Sequence, residues 1–251
     1  MKRQGFLVAI ALLTTPSVLE AKTINHAHQY EACMTLVREA PDEAFDAGLA
    51  WKSYGGGEAA EHCIATALIN MKRYATGADR LEKLADISRK PKEFKAQILA
   101  QAAQGWFLAN EVDRARAVLT TAIDLDGTVA DFYVDRAQMR SAQNAFDDAL
   151  RDLDKALALD DLNVDALIFR GTIYRLTEKF DQAMSDIKKA VALDPSHPEA
   201  LLERGMLYRI EGSDEKARTD WLDVIGIDPL SDTAETARLN LQRMEVTPKS
   251  E

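Results

Sequence analysis

Matching residues recur every 34 positions along most of this chain, and that interval limits the possible folds more than any other feature of the sequence. Residues 166–174 read ALIFRGTIY, and residues 200–208 read ALLERGMLY. Frames opened at Ala96, Ala130, Val164 and Pro198 align without insertion or deletion. Their eighth places hold Ala103, Ala137, Gly171 and Gly205, all small, and their twentieth places hold Ala115, Ala149, Ala183 and Ala217. The twenty-fourth place is large and apolar in each frame, with Leu119, Leu153, Ile187 and Trp221. The twenty-seventh carries Ala122, Ala156, Ala190 and Val224. An ordinary helical bundle has no reason to keep a constant period, so this one marks stacked supersecondary units.

Each frame contains two stretches of helical apolar spacing, divided near Asn110, Asn144, Glu178 or Gly212. Stop signals fall at Gly127, Pro195 and Pro229. The small residues allow two helices to approach closely and the large ones fill the space left. One such hairpin cannot bury its own apolar surface, so it must stack on its neighbours. The expected fold is therefore all-α, a solenoid of helical hairpins.

The pattern resembles the tetratricopeptide repeat family in its small eighth residue, its aromatic eleventh (Trp106, Tyr174, Tyr208), its alanine at the twentieth place, its large twenty-fourth residue, and Pro195 and Pro229. The resemblance covers 96–231 as four repeats, 96–129, 130–163, 164–197 and 198–231, and implies a right-handed solenoid. A looser copy spans 58–95, with Ala65 eighth, Tyr74 seventeenth, Gly77 twentieth and Leu81 twenty-fourth. About four residues around Arg89, Lys90, Pro91 and Lys92 then interrupt the frame. Arg140 stands where the family has an aromatic, which predicts different packing in the 130–163 repeat.

Residues 22–57 predict an N-terminal helical cap, with helices over 28–38 and 42–54 ended by Gly55, Gly56 and Gly57. That triple glycine lacks a following Lys-Ser/Thr and follows a helix, so it reads as a helix end rather than a phosphate loop. Ser231 or Asp232 can open a capping helix over 232–246, and 247–251 read as a frayed tail. Residues 1–21 have the pattern of a secretory signal peptide: Lys2 and Arg3, then the run FLVAIALL, then Leu19, Glu20 and Ala21. That run is well short of the ~20 apolar residues a membrane span requires. The expected location is the periplasm or another exported compartment.

Cys33 and Cys63 are the only cysteines, and an even count in an oxidising compartment predicts a disulfide between them. The competing reading is a metal site with His28 and His62, although the tight ligand spacings of such sites are absent.

The apolar stretches quoted above carry an arginine at the seventh place: Arg136, Arg170 and Arg204. The same frames hold an acid at the twenty-third place, Asp152, Asp186 and Asp220. The 96 frame has Ala102 and Val118 instead, so the two features come and go together. This predicts three ion pairs joining the helices within a repeat, since a guanidinium can donate twice to one carboxylate.

No triad, nucleotide loop or metal spacing is present, so catalysis is not expected and no cofactor is implied. A net charge of −10 argues against nucleic acid, whose binding needs a cationic face. What the resemblance implies is a protein or peptide partner held in a groove lined by first helices. The family's groove places hold Gln97, Gln101, Gln104 and Phe107, then Asp131, Asp135 and Gln138. Further along they hold Asp165, Phe169, Thr172 and Arg175, then Glu199, Glu203, Met206 and Arg209. Lysine and asparagine, with which family members clamp a terminal carboxylate, are absent there. An extended segment with basic and apolar side chains fits better, with Phe107 and Phe169 as anchors. The functional expectation is a non-catalytic exported adaptor or scaffold acting in envelope assembly. A self-associating structural subunit and a regulatory module for a cell-wall enzyme are the alternatives, and a monomer is the expected state.

Overall fold

A computed structural model describes residues 25–246, so the leader-like segment 1–21 and the tail 247–251 lie outside the described residues. Among those described there are thirteen α-helices and no strand. The cap is α1 (His26–Glu39) and α2 (Pro41–Ser53), and the loose copy is α3 (Gly57–Asn70) and α4 (Tyr74–Ile87). The four regular hairpins are α5 (Lys92–Leu108) with α6 (Val112–Leu125), α7 (Ala130–Ala142) with α8 (Phe146–Leu159), α9 (Val164–Leu176) with α10 (Phe180–Leu193), and α11 (Pro198–Ile210) with α12 (Asp214–Ile227). The last helix is α13 (Asp232–Val246). Ser231 caps it, its hydroxyl accepting from Ala234 N–H at 3.1 Å.

Consecutive helices pack on each other throughout, and α5, α7, α9 and α11 also meet one another in series. First helices thus form an inner wall and second helices an outer one, which gives the right-handed solenoid its concave side. The residues that define the period form its core. Ala115, Ala149, Ala183 and Ala217 are fully buried, as are Leu119, Leu153 and Ile187. Size is matched across each hairpin. Alanine at the eighth place faces leucine at the twenty-fourth in the first two repeats, whereas glycine faces Ile187 and Trp221 in the last two. A Cβ on Gly171 would lie 2.7 Å from Ile187 Cδ1, and one on Gly205 2.7 Å from Trp221 Cδ1. The bulkier partner therefore requires glycine.

The dividing residues of the sequence pattern are those that turn the chain between helices. Asn110, Asn144 and Glu178 adopt left-handed backbone, with φ of 64°, 58° and 59°, and Gly212 has φ 79°. At each turn the next N–H bonds back to the first helix, as Lys179 N does to Tyr174 O at 2.8 Å, completing a C-terminal cap. The interruption expected around Arg89–Lys92 takes a different form. Residues 88–91 are an ordinary connector, and the extra residues lengthen α5 to 17 residues against 13 in α7, α9 and α11. Four residues make about one helical turn, so the insertion adds length without rotating the apolar face far out of register.

Cys33 and Cys63 form a disulfide with Cα atoms 6.2 Å apart, joining α1 to α3. His62 is not free to ligate metal. Its Nδ1 lies 2.8 Å from Tyr30 Oη and its Nε2 2.8 Å from Gln101 Oε1, and burial pushes its pKa down. Among the described residues no group of three or more His, Cys, Asp or Glu could hold a metal ion.

Candidate functional site: the inner face of the solenoid

The three recurring arginines form the ion pairs expected of them within each repeat. Arg136 Nε and Nη2 donate to Asp152 at 3.0 and 2.8 Å, Arg170 to Asp186 at 2.7 and 2.8 Å, and Arg204 to Asp220 at 2.8 and 2.7 Å. The three aspartates are buried. The remaining guanidinium nitrogen reaches the preceding repeat in two cases, to Thr120 Oγ1 at 3.3 Å and to Asp154 Oδ1 at 2.8 Å. At the corresponding place before Arg204 stands Lys188, which offers no acceptor. Each arginine therefore ties its own two helices together, and two of them also tie their repeat to the one before.

Arg140, at the place of an aromatic, joins this network. Its Nη1 lies 2.7 Å from Asp152 Oδ2 and donates to the Asp148 carbonyl at 3.0 Å. The aromatic ring that Arg170 and Arg204 meet at Tyr174 and Tyr208 is supplied for Arg136 by Tyr133, 5.7 Å away. An aromatic from the fourth place thus replaces the one missing at the eleventh.

The groove candidates are not equivalent. Gln97 and Gln104 are exposed on α5, while Gln101 is engaged by His62. Phe107, Gln138, Phe169, Thr172 and Met206 are partly buried. Arg175 and Glu203 hold each other, Nε to Oε2 at 2.6 Å and Nη2 to Oε1 at 3.0 Å, so a basic edge expected at Arg175 is neutralised across the α9–α11 junction. Arg209 pairs with Asp214 at 2.5 Å. Asp131 accepts from the Asn163 amide at 2.9 Å. Asp135 is pushed up to about 6, by burial first and then by the charges of Asp131 and Asp165.

Between α9 and α11 the inner face opens into a cleft of about 500 Å³ lined by Ile168, Phe169, Leu202 and Thr172, with Asp165, Glu199, Glu203 and His197 around them. His197 was assigned no role by the sequence pattern. It sits between two acids, Nε2 3.6 Å from Asp165 and Nδ1 3.2 Å from Glu199. Its place in the turn before Pro198, one repeat after Asn163, was the available signal.

Residues 134–196 and 177–232 match the family described as Tetratricopeptide repeat. No curated protein matches the chain. Among solved structures it is similar to TTC0263, a thermophilic TPR protein of Thermus thermophilus, at 17% identity and a TM-score of 0.61, over 74% of this chain and all of that one. It is similar to MamA 41-end from Desulfovibrio magneticus RS-1 at 15% identity and a TM-score of 0.57, over 70% of this chain and 97% of that one. YrrB, described as a TPR protein with an unusual peptide-binding site, aligns at 17% identity and a TM-score of 0.52, over 76% of this chain and 96% of that one. Residues 134–232 thus carry tetratricopeptide repeats, and the described chain shares its solenoid fold with these structures. Proteins of this kind are generally non-catalytic interaction scaffolds.

Proposed function

We propose that this protein is an exported, non-catalytic adaptor that holds a segment of a partner protein along its concave face and acts in envelope assembly. The observation that carries the reading is the row of partly exposed large side chains, Phe107, Phe169 and Met206, on first helices of different repeats. Side chains of that kind, set among polar neighbours, are where protein interfaces concentrate their binding energy. The peptide-binding site named for YrrB is consistent with such use of a repeat array. Export is supported by the leader-like pattern of residues 1–21 and by the Cys33–Cys63 bond, since disulfides persist in oxidising compartments.

Photocrosslinking in the exporting cell tests this. A photoreactive residue at Phe107 or Phe169 should capture the same partner, and one at Lys155, exposed on α8, should not. Equal capture from all three positions would move the interface off the concave face. One observation favours self-association as a second reading. Leu162 and Leu230, in the turns that follow α8 and α12, are 56% and 95% exposed. Light scattering of the purified chain separates the two, because an adaptor with a free concave face is a monomer and an edge-to-edge assembly is not.

A further inference from the structure

We infer that the cleft between α9 and α11 receives a cationic segment, one that lays an apolar side chain between Phe169 and Leu202 and sets an arginine or lysine against Asp165 and Glu199. The inference rests on the concave face being the binding surface and names the chemistry of what binds there.

The floor is apolar, formed by Ile168, Phe169 and Leu202, and it is open enough for a large side chain. The charge around it has one sign. Glu203 is satisfied by Arg175, and Arg209 is paired to Asp214, so the first-helix arginines nearby are already engaged with acids. Asp165 and Glu199 have no lysine or arginine partner among the ion pairs of the described residues. Asp165 meets only His197, and Glu199 meets His197 and the Thr233 hydroxyl. His197 Nδ1 itself is buried without an aligned hydrogen bond. Towards α7 the same field continues through Asp131 and Asp135, where the carboxyl of Asp135 is held above its ordinary range by burial and by Asp131 and Asp165. A recess lined with charge of one sign over low-dielectric walls concentrates the field and draws in the opposite charge. A segment bearing carboxylates or phosphates is repelled here. A bare metal ion is not accommodated, because no ligand set exists among the described residues. An ammonium or guanidinium carried on an apolar stem matches both parts of the cleft, its stem on the floor and its head at the acids.

Three fluorescein-labelled octapeptides test this against the full purified chain by fluorescence anisotropy: alternating leucine and arginine, the same with citrulline for arginine, and the same with glutamate. The arginine peptide should bind at least tenfold more tightly than the citrulline peptide, and the glutamate peptide should not bind. Asp165→Asn with Glu199→Gln should reduce arginine-peptide affinity at least tenfold, and Asp181→Asn on the exposed outer side of α10 should leave it unchanged. Circular dichroism checks that the variants keep the fold. Equal affinity for arginine and citrulline peptides would overturn the cationic assignment and leave the concave interface standing. So would undiminished partner crosslinking from Phe169 in the double acid variant. No peptide binding together with no crosslinking from Phe107 or Phe169 would overturn both.

Discussion

Arg170 and Asp186 meet across one repeat through two parallel hydrogen bonds, Nε to Oδ2 at 2.7 Å and Nη2 to Oδ1 at 2.8 Å. These bonds hold the guanidinium above its ordinary pKa, and the side chains are only 22% and 10% exposed. Removing Arg170 strands the Asp186 carboxylate in a poorly solvated place, and removing Asp186 leaves the guanidinium only the exposed Asp154. Arg170→Ala or Asp186→Ala should each lower stability by about 2–4 kcal/mol in urea unfolding. A double-mutant cycle should return a coupling of about 1–3 kcal/mol. A coupling near zero would mean that packing alone holds the two helices together.

Gly205 and Trp221 test the size matching. Alanine at 205 would place its Cβ 2.7 Å from Trp221 Cδ1, so Gly205→Ala should destabilise by about 1–3 kcal/mol through overpacking. Adding Trp221→Leu should recover part of that loss, since alanine faces leucine in the repeats at 96 and 130. A double variant less stable than either single one would refute the matching.

The period, the hairpins and the arginine–aspartate pairing could be read in the sequence because each recurs in phase. Ala102 and Val118 helped as much as the pairs did, since both partners vanish together there. The Arg175–Glu203 pair could not be read in this way. It joins the twelfth place of one repeat to the sixth of the next, and the corresponding residues in the preceding junctions are Ser141 with Phe169 and Phe107 with Asp135. A contact made once leaves no periodic trace. Arg140 is similar, because its contact with Asp152 is made in one repeat alone, where Tyr133 stands against Arg136 instead of an eleventh-place aromatic. The insertion before Ala96 showed its length in the sequence but not its conformation, and a helix absorbs four residues as readily as a loop does.

Glu178 holds a left-handed backbone, φ 59°, at the place where the last repeat has Gly212. A side chain in that conformation costs about 1 kcal/mol relative to glycine. Glu178→Gly should therefore raise stability by roughly that amount, and Gly212→Ala should lower it by a similar one. Thermal unfolding measures both. A loss of stability in Glu178→Gly would mean that the side chain makes stabilising contacts at the turn.

The Cys33–Cys63 bond closes a loop of 30 residues between α1 and α3. A loop of that size contributes about 3–4 kcal/mol by restricting the unfolded chain. Because the bond touches only the N-terminal units, Cys33→Ala with Cys63→Ala should speed hydrogen exchange in α1 and α2 and leave α9 to α12 little changed. Uniform loss of protection along the chain would show that the cap governs the whole array.

Asp135 gives the pH dependence. Burial, then the negative charges of Asp131 and Asp165, raise its pKa from an ordinary 3.8 to about 6. The folded chain therefore binds this proton more tightly than the unfolded chain does. The stabilisation is complete below about pH 4 and is lost as pH rises through about 6. At pH 7.5 the ionised carboxylate opposes folding by about 2–3 kcal/mol. Asp135→Asn should raise the midpoint of thermal unfolding at pH 7.5, and the gap should close as pH falls to 4. The same step should weaken the arginine peptide at pH 7.5, because the charge that destabilises the free protein is one that a bound cation would offset. A gap that does not change with pH would mean that burial and the charges of Asp131 and Asp165 do not hold the Asp135 carboxyl above its ordinary range.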